Sequence, residues 1–159
     1  MESEFEQTIN DNAGVLHKLC RAYANNADEY GEMFQEMLVQ IWLSMKNFRG
    51  EAKLSTWIYQ VCINTALGFR SKIGRYNKRF ETIDGKIFIQ PTPDTDIDEQ
   101  LRKVYLAIRE LKPIDRAIVS LYLDDRSYDE TAQILGMSKT NVATRLNRAK
   151  KQLMEKVTI

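Results

Sequence analysis

The sequence predicts an all-α protein made of two small helical domains that are joined by a flexible linker. Three observations predict this fold class. Apolar residues recur at steps of three and four, the period of an α-helix, over residues 15–69 and again over residues 101–153. The stretch between about residues 74 and 97 loses that period. It contains Pro91 and Pro93 together with an acidic run, a composition that is typical of a linker.

The first domain, residues 1–75, is predicted to contain three helices. The helical period breaks at Asn25-Asn26 and at Phe48-Arg49-Gly50, where Asn and Gly reach turn conformations that other residues adopt only with strain. Ser55 either caps the third helix or lies just inside it. The apolar-face residues are Val15, Leu16, Leu19, Cys20, Tyr23, Phe34, Met37, Leu38, Ile41, Trp42, Met45, Leu54, Trp57, Ile58, Val61, Cys62, Thr65 and Phe69.

The linker is assigned to residues 76–97. It is acidic, since residues 81–100 hold six Asp or Glu side chains against Lys86 alone. A brief alternation over Lys86–Ile89 is typical of a short extended piece. Fully extended at roughly 3.3 Å per residue, about 25 residues could span on the order of 80 Å, so the two domains could reach well-separated sites.

The second domain, residues 98–159, is predicted to contain four helices. Pro113 fits the first turn of the second helix. The sequence from Ser127 to Glu130 is a capping box that begins the third helix, Gly136 allows a tight break, and Ser138 can cap the fourth helix. A short helix, a glycine turn and a capped second helix form the helix-turn-helix arrangement, which sets the second helix into a DNA major groove.

The outward face of the last helix carries side chains suited to DNA. Its buried stripe is formed by Val142, Leu146, Ala149 and Leu153. Arg and Asn pair with purine edges, while Thr and Lys hold phosphates. An ordinary helical hairpin with a polar face would also be compatible with this spacing. The candidate DNA-binding residues are Lys139, Thr140, Asn141, Thr144, Arg145, Asn147, Arg148 and Lys151.

The net charge of +1 conceals two basic clusters. Residues 70–79 hold five basic and no acidic side chains, and residues 138–156 hold six basic side chains against one acid. A single basic run is usually a solvated helix face. Two clusters, each at the end of a helical unit, favour a contact with the phosphate backbone in each half.

Several function classes lack support in the sequence. No stretch approaches the roughly 20 apolar residues needed to cross a bilayer, and the N-terminus is acidic, so a cytoplasmic location without membrane insertion is expected. Cys20 and Cys62 lie at helical spacing among apolar residues and are interpreted as core residues. His17 is the only histidine, and no phosphate loop or metal-ligand spacing occurs, so no enzyme, metal or cofactor is expected.

The run from Leu111 to Lys150 resembles region 4 of the extracytoplasmic-function (ECF) sigma factors, a group within the sigma-70 family of RNA polymerase sigma factors. The resemblance implies that this domain reads the −35 promoter element through the eight candidate residues of the last helix. It also implies a contact with the flap of the polymerase β subunit. Ala143 stands where the family commonly has a basic residue.

The segment Gly31–Trp42 resembles region 2.2 of the same family, which docks on the clamp helices of the polymerase β′ subunit. The spacing of its polar residues places them on one partly acidic face, opposite an apolar face, and such a face suits a basic partner helix. A plain amphipathic helix would show the same spacing. The resemblance assigns clamp docking to Glu32, Gln35, Glu36 and Gln40, and the opposite face holds Phe34, Leu38, Ile41 and Trp42.

The segment Phe48–Ala66 resembles regions 2.3 and 2.4, which in the family capture the non-template strand of the −10 element. The expected chemistry is a flipped base held in a small pocket. The resemblance implies that Phe48, Arg49 and Gly50 form the wall of the pocket and that Asn64 presents its amide to a base.

Two features flank this −10 segment. Arg70 and Lys72, in the first basic cluster, are expected to contact the DNA of the −10 element. Gln60 and Val61 stand near the place where primary sigma factors carry a Trp pair that wedges the duplex open. The resemblance therefore implies limited autonomous melting and stringent promoter choice.

The resemblance covers about residues 10–80 and 100–155. It implies RNA polymerase core, promoter DNA and an anti-sigma factor as partners. The main alternative is a helix-turn-helix regulator that acts without polymerase and binds duplex DNA alone, usually as a dimer on a palindrome. The sequence shows no heptad seam that would favour such a dimer.

Overall fold

The computed structural model describes residues 2–50, 53–79 and 98–157 of the 159-residue chain, without the side chains of residues 70–79. The described residues form helices and contain no strand, so the all-α class is confirmed. In chain order the helices are α1 (Glu2–Tyr23), α2 (Ala27–Met45), α3 (Leu54–Arg79), α4 (Glu99–Ile108), α5 (Pro113–Leu123), α6 (Tyr128–Leu135) and α7 (Lys139–Val157).

The N-terminal half consists of α1, α2 and α3, which pack against one another as the sequence predicts. Asn26 begins α2 by accepting a hydrogen bond from the backbone N–H of Glu29 at 2.9 Å. Ser55 lies just inside α3. Cys20 and Cys62 are buried free thiols, which confirms them as core residues. The largest fully buried side chains of this half are Leu16, Leu19, Tyr23, Tyr30, Met33, Met37, Ile41, Ile58, Tyr59, Ile63 and Phe69.

Two residues of the predicted apolar faces in this half are exposed. The side chains of Trp42 and Leu54 are each 40% exposed, although both fall on the apolar face of their helices. Trp42 packs at the rim of the bundle, where the Phe5 ring meets it edge-on at 5.2 Å between centroids. The helical period identifies the face of a helix but does not show how far a partner helix covers it.

The C-terminal half consists of α4 to α7. Pro113 occupies the first turn of α5, and Ser127 and Glu130 form the complete capping box that begins α6. Gly136 ends α6 in the left-handed conformation, with φ of 66°, which is a conformation that glycine reaches without steric cost. Ser138 accepts from the backbone N–H of Asn141 at 3.1 Å and begins α7. Val142, Leu146 and Ala149 are buried as predicted.

The sequence places the end of the first domain at residue 75. Helix α3 continues to Arg79, past residue 75, where the first domain was expected to end. Residues 80–97 lie outside the described residues, and so does the extended piece expected at Lys86–Ile89.

The two halves pack against each other. Helix α1 contacts α4 and α5, and α3 contacts α5 and α6, so that one continuous apolar core joins both halves. Polar contacts border this junction. The Tyr23 hydroxyl donates to the carbonyl of Pro113 at 2.5 Å, and Arg109 Nε donates to the carbonyl of Arg21 at 2.8 Å. The sequence did not predict this closed arrangement.

Candidate nucleic-acid and polymerase interfaces

The helix-turn-helix presents one face of α7 to solvent. The capping box at the start of α6, the left-handed Gly136 and the Ser138 cap fix the angle between α6 and α7. Because the buried stripe of α7 packs against the other helices of its half, the opposite side is left open. Seven of the eight predicted DNA-binding residues are exposed there: Lys139, Thr140, Asn141, Thr144, Asn147, Arg148 and Lys151.

Arg145 differs from the other seven residues. Its Nη1 lies 3.1 Å from Oδ1 of Asp115 on α5, and the Arg145 side chain is 33% exposed. The Nε of Arg145 is buried without an acceptor among the described residues. The structure therefore turns part of the Arg145 guanidinium toward the contact between α5 and α7. A second ion pair at this face joins Lys139 to Asp129 at 3.5 Å, and both of its side chains are exposed. Such an exposed pair contributes little to stability.

The predicted wall of the −10 pocket lies in the loop between α2 and α3. The Phe48 ring packs against the Trp57 ring at 5.0 Å between centroids, so Trp57 holds the loop against α3. Trp57 is partly buried against the core, as predicted. Arg49 and Gly50 are exposed, and Gly50 has φ of 74°, a conformation that favours glycine. The loop thus places the Phe48 ring beside the solvent-exposed backbone of Arg49 and Gly50.

Asn64 lies on a groove between α2 and α3. The groove has a volume of about 340 Å³ and is lined by Glu36, Gln40, Ser44, Val61, Asn64, Thr65, Gly68 and Phe69. Gln40 Nε2 donates to Glu36 Oε1 at 3.0 Å, which orients both side chains in the groove. Two residues predicted to dock on polymerase therefore face the same groove as the residue predicted to contact a base. The sequence placed these residues in separate segments and did not predict that they share a groove.

The other two predicted docking residues, Glu32 and Gln35, are partly buried on α2. Burial, reinforced by the nearby Asp28 and Glu29 carboxylates, raises the pKa of the Glu32 carboxyl. The exposed surface of α2 also has an apolar part that the sequence analysis missed. Val39, Trp42 and Leu43 are 40–50% exposed there, and their spacing at i, i+3 and i+4 would have marked them as one face.

Arg70 and Lys72 belong to the backbone of α3, but their side chains lie outside the described residues. His17 is partly buried beside Tyr30, with Nδ1 2.5 Å from the Tyr30 hydroxyl. Within the described part of the chain, no group of His, Cys, Asp and Glu side chains could hold a metal ion. None of the described helices is long and apolar enough to cross a membrane.

Each half of the chain matches the model of a known protein family. Residues 8–76 match the family model of sigma-70 region 2, and residues 101–153 match that of sigma-70 region 4. The two matches fall on the N-terminal and the C-terminal half of the fold, in the order that the sequence predicts.

Curated relatives extend the match across most of the chain. The ECF RNA polymerase sigma-E factor of Escherichia coli strain K12 is 27% identical over 138 residues, which span 79% of this chain and 72% of the relative. The sigma-E factor of Haemophilus influenzae strain Rd is likewise 27% identical over 138 residues, with 79% of this chain and 73% of the relative covered.

Two solved structures share the fold. The sigma factor RpoE from Bartonella quintana, in complex with the anti-sigma factor NepR, aligns over 98% of both chains with a TM-score of 0.73 and 20% identity. CnrH, in complex with the cytosolic domain of CnrY, aligns over 98% of this chain and 88% of its own with a TM-score of 0.68 and 17% identity.

Proposed function

The chain belongs to the extracytoplasmic-function sigma factors of the sigma-70 family, and on this premise we propose how its two helical units share one promoter. As a sigma factor, it directs RNA polymerase to promoters and starts transcription there. We assign residues 1–75 to polymerase docking and the −10 element, and residues 98–159 to the −35 element. Sigma factors of this family are generally not enzymes. They act by binding RNA polymerase and promoter DNA and by positioning one on the other. We propose that this chain does so in the cytoplasm, where the polymerase acts.

The observation that carries the proposal is the exposed polar and basic face of α7 on a fully capped helix-turn-helix. Arg148 and Asn147 can form paired hydrogen bonds with base edges, while Lys139, Lys151 and Thr140 can hold phosphates. Asn141 and Thr144 complete this face. Arg145 is held by Asp115, so we assign it a shared role, in which it supports α7 and contacts DNA with its remaining donors.

The −10 element is assigned to the loop between α2 and α3 and to the adjacent end of the groove. An unpaired base can stack on an aromatic ring such as that of Phe48, with Arg49 and the backbone at Gly50 beside it. The exposed amide of Asn64 can donate to and accept from a base edge. We assign backbone contacts beyond this point to Arg70 and Lys72.

Polymerase docking is assigned to α2. The Glu36 and Gln40 pair, with Glu32 and Gln35 nearby, offers acceptors to a basic clamp helix of the β′ subunit. The exposed apolar side chains next to them add area that binding would remove from water. The C-terminal half would meet the β flap. The similar RpoE and CnrH structures are complexes, the first with an anti-sigma factor, and we propose an anti-sigma partner here too.

Core-dependence of DNA binding tests the proposal. Purified chain and core polymerase together should retain a subset of a randomised promoter library, whereas the chain alone should bind DNA weakly and with little selectivity. Glu36→Lys should weaken core binding, and Glu155→Lys, near the end of α7, is the matched charge-reversal control. Tight and selective binding by the chain alone, without any gain from core, would instead indicate a regulator that acts without polymerase.

A further inference from the structure

The groove between α2 and α3 presents hydrogen-bond acceptors to a molecule that enters it. Gln40 donates to Oε1 of Glu36 at 3.0 Å, which leaves the other carboxylate oxygen and the amide oxygen of Gln40 as acceptors. The Thr65 hydroxyl donates its hydrogen to the carbonyl of Val61 at 2.7 Å, so it too can only accept from an occupant. The described residues that line the groove include one carboxylate and no cationic side chain. An occupant with N–H donors therefore fits this groove, whereas a phosphate does not.

Gly68 lines the same groove and has no structural need to be glycine. It lies inside α3, which continues to Arg79, and a glycine in a helix interior weakens the helix relative to alanine. A Cβ atom at this position would meet nothing within 4 Å among the described residues around it. Neither the helical backbone nor the packing of those residues therefore requires glycine. The absence of a side chain keeps the groove wide, which points to a ligand that approaches the backbone of α3.

The groove has the size and the position to hold one base of the promoter strand. Its volume of about 340 Å³ lies at the lower end of the roughly 300–1,000 Å³ range of small-ligand pockets. It runs from Glu36 to Ser44, which is about 12 Å along α2 at about 1.5 Å per residue. Ser44 lies in the last turn of α2, next to the loop that carries Phe48. A single strand that stacks on Phe48 can therefore continue into the groove, past Asn64.

We infer that this groove is a second base site, beside the one at Phe48, and that it takes an unpaired base with an exocyclic amine. Adenine, cytosine and guanine each carry such an amine, whereas thymine carries none and presents carbonyl oxygens. The amine donates to Glu36, the Asn64 amide pairs with another atom of the same edge, and the ring packs against the backbone at Gly68. Thymine places a carbonyl oxygen against the carboxylate, so the groove rejects it.

This base site rests on the proposed function, since a DNA strand can reach the groove only when the promoter opens. Glu36 is also assigned to polymerase docking. Base preference is therefore measured in complexes that are already saturated with core polymerase, so that a change in core affinity does not enter the result. Promoter DNA with a mismatched −10 bubble is used, because the bases then do not differ in how strongly they pair with the template strand.

A base scan of the −10 non-template strand shows whether the amine is read. At one position thymine should bind at least about tenfold more weakly than the preferred base. Removal of the amine alone, with purine in place of adenine or hypoxanthine in place of guanine, should cause a similar loss. Glu36→Gln exchanges one acceptor for an amide that can donate to a thymine carbonyl, so it should abolish most of this discrimination. Glu6→Gln, an exposed carboxylate on α1, should retain it. Full discrimination in the Glu36→Gln variant would refute the inference.

Filling the groove tests whether it is occupied. Gly68→Leu places a side chain in the groove without weakening α3, because leucine is a better helix former than glycine. The matched control is Gly14→Leu on α1, where an added Cβ also meets nothing within 4 Å and which lies outside the groove. Both variants should unfold at or above the Tm of the wild type. Only Gly68→Leu should weaken binding to the bubble, by at least about tenfold, with core affinity unchanged.

The results that would overturn the base site differ from those that would overturn the proposed function. A loss of core affinity in Gly68→Leu as large as the loss of bubble binding would assign the groove to a polymerase side chain and not to a base. A chain that initiates with core polymerase but accepts thymine equally at every −10 position would exclude the second base site and leave the sigma-factor assignment intact. A chain that neither binds core nor initiates would overturn both.

Discussion

Replacing Arg145 should weaken both the fold of the C-terminal half and promoter recognition, whereas replacing Arg148 should weaken recognition alone. Arg145 lies 3.1 Å from Asp115, and the two side chains are 33% and 16% exposed. Arg148 is exposed on the outward face of the same helix. The two arginines are three residues apart, so Arg148→Ala is a close control for Arg145→Ala.

The expected decrease in stability follows from the carboxylate that Arg145→Ala leaves behind. Depriving a mostly buried charged group of its partner costs about 1–3 kcal/mol, and the partial exposure of this pair places the value at about 1–2 kcal/mol. For a chain of this size, 1 kcal/mol corresponds to about 2–4 °C in Tm, so a decrease of about 2–8 °C is expected. Where either arginine pairs with a base, its replacement by Ala should also weaken promoter binding by about 1–3 kcal/mol, or about 5- to 150-fold in affinity.

Thermal unfolding by circular dichroism measures the first effect, and the affinity of the polymerase complex for promoter DNA measures the second. The Asp115→Ala variant and the Arg145→Ala, Asp115→Ala double variant complete a cycle that isolates the pair. The double variant should be more stable than the sum of the single losses indicates. If Arg145→Ala had the Tm of Arg148→Ala and of the wild type, the assigned structural role of Arg145 would be refuted.

Three further predictions concern single sites, and a fourth concerns the two thiols. Ser127→Ala removes the acceptor of the Glu130 backbone N–H at 3.1 Å and should lower the free energy of unfolding in denaturant by about 1 kcal/mol, with Ser127→Thr as the conservative control. Hydrogen bonds from the Ser127 backbone and from the neighbouring Arg126 guanidinium lower the pKa of the Glu130 carboxyl. The stability that ionised Glu130 contributes is therefore present above about pH 4 and is lost as pH falls through its folded-state pKa. The Tm of the Glu130→Gln variant should accordingly fall less on acidification than the Tm of the wild type. Asn64→Ala should reduce permanganate-detected promoter opening more than core affinity, and equal decreases would indicate a structural role. Burial raises the pKa of the Cys20 thiol and raises that of the Cys62 thiol to about 12. Both thiols should therefore resist a thiol reagent at about pH 8 until the chain unfolds. Fast labelling of the native chain would contradict the packing of the core.

Local signals in the sequence predicted the helices and their ends. Asn26, Pro113, the Ser127 capping box and Gly136 act on backbone groups within a few residues, so their effect can be read from the neighbouring sequence. The period of the apolar residues predicted the buried stripe of α7 for the same reason. The helix-turn-helix and its outward face followed from these local signals together.

The contacts between distant residues could not be predicted in this way. Arg145 meets Asp115 from another helix, and Asn64 shares a groove with Glu36, because the packing of whole helices brings them together. The exposure of Trp42 depends on how far α1 extends over α2. The contact of Asp124, which follows α5, with Lys18 of α1 and Tyr59 of α3 likewise depends on how the two halves pack, which the acidic segment between them does not specify.

Core-dependent initiation tests the central claim most directly. The full chain and bacterial core polymerase are incubated with a promoter library in transcription buffer, and the 5′ ends of the transcripts are sequenced. A sigma factor should produce transcripts that start at a fixed distance downstream of two shared elements, and none should form when either protein is omitted. Transcripts that begin at the same positions and in the same amounts with core alone would contradict the assignment.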